Sequence, residues 1–230
     1  MLVFRHEALA AHDSDHVDLL FNNAGLSGGG SLFTDSRESW ERCFNVCFHG
    51  VRYGTLAFLD ALVASEDSRI VNTSSVNGFW ASIGNDRPHT AYSSAKFAVK
   101  GFTEALMTDL AVNAPHVKAS VVMPGHIGTS IVKNSMEFGA RSLTDEEREM
   151  GAIADQMFHD MAPMTAAEAA TVILDGVLAD KWRILVGDDA HALDAAVRAD
   201  PEHAYDANFG DVLFAELRAA TDQILGDDPS

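Results

Sequence analysis

Four short apolar runs limit what this chain can become. "VDLLFNN" (17–23), "SRIVNTSS" (68–75), "KASVVMPG" (118–125) and "RILVG" (183–187) have strand length, and most end in turn residues. Longer stretches with helical spacing lie between them. One runs from about Arg37 to Ala64 and carries Trp40, Phe44, Cys47 and Val51; another runs from about Tyr92 to Val112 and carries Phe97, Phe102, Leu106 and Leu110. Strands alternating with helices specify βαβ crossovers, hence a mostly parallel sheet covered on both faces. Two capping boxes, Thr144 with Glu147 and Thr165 with Glu168, start further helices, and an acidic helical tail closes the chain. The expected fold is α/β, a doubly wound parallel sheet in a single domain, with a core at 17–188 and a helical C-terminal extension at 189–230.

Composition narrows the partners. With a formal net charge of −18, neither nucleic acid nor an anionic membrane surface is expected to bind. No apolar run approaches the ~18 residues of a membrane-spanning helix, so none is expected. Arg5, His6 and Glu7 stand where a signal peptide needs apolar residues. Cys43 and Cys47 lie four apart in a helical pattern without zinc-type spacing, which points to a reduced, cytoplasmic setting. "HDSDH" (12–16) sits in a polar loop before a strand, and no metal site is expected there or elsewhere.

In an open parallel sheet, ligands bind in the crevice beyond the carboxyl ends of the strands. Polar residues and glycines gather at those ends: Asn22, Asn23 and Gly25, then Ser74 and Ser75, then Pro124 and Gly125. "HTAYSSAKFAVKGF" (89–102) adds Tyr92 and Lys96, one helical turn apart on one face. A phenol, with its pKa near ~10, is a poor acid or base at neutral pH. A neighbouring ammonium stabilises the phenolate, so Lys96 is expected to bring Tyr92 toward the working pH. By spacing alone, the two read as a half-exposed aromatic beside an ordinary surface lysine. Ser75 and Asn45 turn the reading toward chemistry, since a helix-interior asparagine is locally unfavourable.

"NNAG" (22–25), "FNVCFHG" (44–50), "IVNTSS" (70–75), "YSSAK" (92–96) and "MPGHIGTS" (123–130) resemble, in order, the successive motifs of the short-chain dehydrogenase/reductase family. The resemblance implies a Rossmann-like fold and an NAD- or NADP-dependent interconversion of a secondary alcohol and a carbonyl. It implies Tyr92 as acid/base, Lys96 as its cationic partner, Ser75 on the substrate oxygen, and Asn45 holding a water that links Lys96 to solvent. It further implies cofactor contacts from Asn23, Ala24, Gly25, Tyr92, Lys96, Pro124, Gly125, Ile127 and Thr129. Ser74 stands as the alternative to Ser75, and a helix N-cap as the alternative role of Thr129. Residues 126–161 match the family's mobile substrate lid. Phe79, Trp80, Met136 and Phe138 suggest an apolar-walled pocket for a small alcohol or ketone, and Met150, Met157, Met161 and Met164 read as pocket or core packing. The helices from Arg37 and from Tyr92, with Gly50 and Gly54 allowing close approach, are expected to form a homodimer or homotetramer.

One departure stands out. The family's glycine-rich TGxxxGxG phosphate turn is absent, and only 21 residues precede "NNAG". "AGLSGGGS" (24–31) is no substitute, because no second strand with an acidic end follows it. The chain is therefore expected to be N-terminally truncated, starting in the helix before the family's fourth strand. A second reading accompanies the first: a non-catalytic remnant that holds no cofactor and serves as an oligomerisation or partner-binding subunit. The 17-residue interval from Ser75 to Tyr92 is expected to hold a loop insertion near 84–88.

Overall fold

The computed structural model describes residues 1–28, 30–82, 87–138, 144–207 and 209. In chain order its elements are α1 (Leu2–Ala11), β1 (Leu19–Asn22), α2 (Arg37–Phe44), a π-helical turn (Asn45–His49), α3 (Gly50–Val63) and β2 (Ser68–Thr73). Next come a short 3₁₀ turn (Val76–Gly78), α4 (Thr90–Asn113), β3 (Val117–Pro124), β4 (Ile127–Gly128) and α5 (Ile131–Glu137). The remainder is α6 (Asp145–Asp160), β5 (Met164–Thr165), α7 (Ala166–Leu178), β6 (Arg183–Val186) and α8 (Asp188–Ala199). Residues 83–86, which overlap the insertion expected near 84–88, and the tail from 210 to 230 lie outside the described residues.

Side-chain caps set several boundaries. The Ser36 hydroxyl accepts from the Ser39 amide at the start of α2. Both expected capping boxes close reciprocally, at Thr144 with Glu147 and at Thr165 with Glu168.

The main sheet has four parallel strands in the order β1-β2-β3-β6. Alternating strand residues serve opposite faces. Ile70 and Ala119 pack with Phe58, Leu62 and Leu110 under α3 and α4, whereas Val71 and Val122 pack with Ala169, Val177 and Ile184 under α7. Helices thus cover both faces, and the fold is the expected Rossmann-like one. A two-stranded parallel ribbon, β4 with β5, ties the chain after β3 to the start of α7. β1 is an edge strand with Leu19 and Phe21 each 41% exposed, and no further strand pairs with it among the described residues.

The stretch Arg37–Val63 forms one 27-residue helix whose most apolar window reaches a mean hydropathy of 1.2, long and apolar enough by composition to cross a membrane. Ala57, Phe58, Ala61 and Leu62 are instead buried in the fold, which is how a core helix is used.

A chain of buried side-chain hydrogen bonds crosses the layer between sheet and helices. Asn22 Nδ2 donates to Thr55 Oγ1 (3.1 Å) and to Asn72 Oδ1 (2.9 Å). Asn72 Nδ2 donates to Thr103 Oγ1 (3.0 Å), which donates to the Val99 carbonyl (2.7 Å). α3, β1, β2 and α4 are joined in one network. Gly54 makes room for it: a Cβ there would lie 2.2 Å from Asn22 Oδ1. Gly54→Ala forces Asn22 aside and strands buried polar groups, so it is expected to cost about 1–3 kcal/mol, measured by urea unfolding against the parent chain.

Candidate active site

The carboxyl ends of β1, β2 and β3 open into a cavity of about 1040 Å³. Of the sequence-predicted residues, Asn23, Ala24, Gly25, Ser75, Tyr92, Lys96, Pro124, Gly125, Ile127 and Thr129 all line it. Four chain segments deliver them: the turn after β1, the end of β2, the N-terminal turns of α4, and the segment from β3 into β4.

Ser75 caps the 3₁₀ turn, its hydroxyl accepting from the Asn77 amide (3.1 Å), and its side chain acts on the Tyr92 phenol, drawing it down against burial. Ser74, the alternative, also lines the cavity, but its hydroxyl donates to the Lys96 carbonyl (2.7 Å) and so fastens α4 to β2. Lys96 Nζ donates to the Thr73 carbonyl (2.8 Å) and lies 5.4 Å from the Tyr92 ring centroid. The Thr73 hydroxyl in turn donates to Asn23 Oδ1 (2.9 Å), joining the turn after β1 to β2. Thr129 is not the cap of α5, since Ser130 takes that position.

Gly25 and Gly125 are glycines for different reasons. A Cβ on Gly25 would make only ordinary contacts, 3.6 Å from Lys96 Nζ, and would cover the ammonium. A Cβ on Gly125 would collide with the Asp189 carboxylate of α8. That carboxylate accepts from the His126 amide (2.6 Å) and fixes the turn between β3 and β4.

Asn45 is not brought into the site. It opens the π-helical turn with an exposed side chain and does not line the cavity. Two residues on, Cys47 points inward and is fully buried beside the Gly25 turn. At 3.6 residues per turn, positions two apart face nearly opposite sides, so Asn45 and Cys47 do not both face the Gly25 turn. Sequence reasoning misses Cys47 because its apolar neighbours make it read as core.

The electrostatics also differ from the expectation. Burial raises the Tyr92 phenol above its ordinary range, and charge on Cys47 raises it further. Lys96, itself held below the ordinary ammonium range by burial, does not offset this. His89, which carries no motif although it lies three residues before Tyr92, stacks on the phenol ring with centroids 4.7 Å apart. Burial holds its imidazole below the usual range.

The walls are mainly apolar: Leu26, Val46, Ile131, Phe138, Phe158 and Leu174. Within the expected lid, α5 is tied down by the Ser27 amide donating to Ser135 Oγ (2.8 Å) and by Arg42 donating to the Phe138 carbonyl (3.0 Å). Phe138 is the one expected wall residue in place. Met136 fills the space over Gly151 between α5 and α6, and Phe79 and Trp80 pack with Leu193 and Ala204 beside α8. Met150, Met157 and Met161 are exposed rather than packed.

Known proteins share the sequence pattern and the fold. Residues 6–139 match the short chain dehydrogenase family. SadH of Mycobacterium tuberculosis is 36% identical over 192 residues, covering 84% of this chain and 65% of that protein. The 3-ketodihydrosphingosine reductase of Bacteroides thetaiotaomicron is 33% identical over 123 residues, 53% of this chain and 43% of that protein. The chain therefore spans less than two thirds of the length of these curated relatives. A short chain dehydrogenase/reductase from Burkholderia phymatum, solved in complex with NAD, superposes with a TM-score of 0.72 at 27% identity, covering 88% of this chain and 70% of the other. One from Burkholderia cenocepacia, solved with NADP, shares the fold with a TM-score of 0.64 at 22% identity over 89% and 73% of the two chains. With a family match over more than half of its length and a parallel sheet shared with these structures, the chain belongs to the short chain dehydrogenase family.

Proposed function

We propose that this chain carries the catalytic centre of a nicotinamide-dependent oxidoreductase, using NAD or NADP, that interconverts a secondary alcohol and a carbonyl. One observation carries the reading: Ser75, Tyr92 and Lys96 meet in the same cavity as the Asn23–Gly25 turn and the 124–129 segment. The residues at hand fit the nicotinamide end of the cofactor. Gly25 leaves a seat that a Cβ would fill directly over Lys96, and Asn23, Ala24, Pro124, Gly125, Ile127 and Thr129 surround it. When bound, the nicotinamide supplies or accepts the hydride, and its oxidised form brings a positive charge to the site.

The chain's own residues handle the proton and the oxygen. Ser75 fixes the substrate oxygen by a hydrogen bond while Tyr92 gives or takes the proton there. Lys96, anchored on the Thr73 carbonyl, faces the nicotinamide end and keeps a positive charge near the phenol. Because burial, chiefly, holds the phenol high, Tyr92 is set as the acid for carbonyl reduction until further positive charge enters the cavity. The apolar walls favour a substrate with hydrocarbon on both sides of the reacting carbon, a small-molecule alcohol or ketone.

A second reading has an observation behind it. Phe21 lines the cavity on edge strand β1, with no strand beyond it among the described residues. The adenine half of a dinucleotide would extend past that edge, so a chain that holds no cofactor would act as a non-catalytic subunit. Titration with NADH or NADPH, followed by cofactor fluorescence, separates the two: saturable enhancement supports the catalytic reading and its absence supports the other. Assembly is proposed through α3 and α4, which expose Tyr53, Leu56, Phe97 and Val112. A homodimer or homotetramer is expected by light scattering, and a monomer at high concentration rejects this surface.

Tyr92→Phe keeps the ring and loses the proton carrier, so turnover of a secondary alcohol is expected to fall by at least about 10²-fold with cofactor binding nearly intact. Lys96→Ala is expected to do comparable damage and to weaken cofactor binding as well. Lys96→Arg is expected not to restore activity, because a planar guanidinium does not reproduce a compact ammonium. Ser75→Ala is expected to lower turnover more than cofactor affinity. A Tyr92→Phe protein with most of its activity overturns the mechanism.

A further inference from the structure

Tyr92 is the third residue of α4, a helix whose start no side chain caps: His89 holds the N-cap position without a side-chain hydrogen bond. The first amides of a helix have no partner within it, so where α4 begins depends on what they meet.

They meet a carbonyl from a distant loop. The Thr90 amide and the Thr90 hydroxyl both donate to the Gly30 carbonyl, each at 2.9 Å. The same hydroxyl accepts from the Trp40 indole Nε1 (3.0 Å). Both lone pairs of one carbonyl and both roles of one hydroxyl are thereby used. Gly30 has to be a glycine for this approach, because a Cβ there would collide with the Pro88 carbonyl. Trp40 in turn lies flat on Phe44, with ring centroids 5.4 Å apart and planes within 8°, and both rings pack on the cluster that holds Tyr92.

Three elements therefore meet at Thr90: the loop after β1, α2 and the start of α4. The same loop begins with the Asn23–Leu26 turn of the cavity. One turn downstream of Tyr92, the Ser74 hydroxyl holds the Lys96 carbonyl (2.7 Å). The Tyr92 backbone is suspended between these two fixed points, and His89, directly before Thr90, stacks on its ring.

We propose that Thr90, held by Trp40, is a positioning residue for Tyr92. Its two hydrogen bonds to Gly30 fix the first turn of α4, so that the phenol and the Asn23–Leu26 turn keep one spacing. Thr90 lies off the cavity wall and acts through Tyr92 alone. The kinetic consequence rests on the oxidoreductase reading; the placement of Tyr92 does not.

Fluorine NMR of the chain labelled with 3-fluorotyrosine tests this without cofactor. The chain has three tyrosines, and the Tyr92 signal is the one lost in Tyr92→Phe. Thr90→Val keeps the side-chain shape and loses the hydroxyl. It is expected to move the Tyr92 signal, while those of the exposed Tyr53 and Tyr205 stay in place and report an intact fold. Thr90→Ser is expected to restore the signal, and Trp40→Phe to move it in the same direction as Thr90→Val. A Tyr92 signal that stays in place in both Thr90→Val and Trp40→Phe overturns the proposal, and so does a shift of all three signals together.

Turnover is the second readout. Misplacing a reacting group by about 1 Å costs on the order of 10²-fold, so Thr90→Val is expected to lose at least about 10-fold in kcat with KM nearly unchanged. Placed in Tyr92→Phe, it is expected to change the residual turnover by less than about twofold, because the group it positions is already gone. An equal loss in both backgrounds marks a merely structural residue and overturns the proposal. Unchanged turnover in Tyr92→Phe removes the oxidoreductase reading and leaves the fluorine result standing, so the two failures are distinguishable.

Discussion

The amide pair Asn22–Asn72 is the interaction on which the rest of the molecule depends. The two residues are register partners in β1 and β2 and are joined at 2.9 Å. Their other bonds reach α3 through Thr55 and α4 through Thr103. A one-residue slip between parallel strands would turn every side chain to the wrong face. A slip of β1 would also leave Asn22 Nδ2, Thr55 Oγ1 and Asn72 Oδ1 buried without partners, each costing about 1–3 kcal/mol. The register is therefore held by penalty as much as by attraction. The residues directly after the pair, Asn23 and Thr73, are the first to reach the crevice, and they inherit its alignment.

Much of the fold is legible in the sequence because the signals are local. The runs at 17–23 and 118–125 overlap β1 and β3 to within two residues at each end, and the threonine–glutamate boxes start α6 and α7 where the spacing places them. Tyr92 and Lys96 lie one turn apart near the start of α4, as helical geometry requires. Elsewhere the outcome rests on distant parts of the chain. Trp80 reads as a pocket wall, yet its indole donates to the Ala204 carbonyl, 124 residues away, and it is buried with Leu193. The phenol's direction of shift depends on burial, a property of the packed molecule that no motif contains.

The exchange of Asn45 for Cys47 has a geometric origin. The helix is interrupted at Asn45–His49 by a π turn, which adds width to one turn and rotates the residues of α3 about the helix axis. Helical spacing from Trp40 or Phe44 fixes which residues share a stripe, but not which of them lands beside the Gly25 turn. A thiol pair stands there in place of the expected amide.

Asp189 gives the crevice a dependence on chain order. Its carboxylate belongs to the first turn of α8, yet it fills the space over Gly125 and holds the His126 amide. One of its oxygens, Oδ1, is buried without a partner among the described residues, a sign that position rather than saturation is what this carboxylate contributes. During synthesis the reacting side chains are complete once Lys96 has emerged, and the wall once Leu174 has. The His126 amide of the turn between β3 and β4 nevertheless lacks its acceptor until residue 189 emerges, so the pocket of this protein is completed from the C-terminal side.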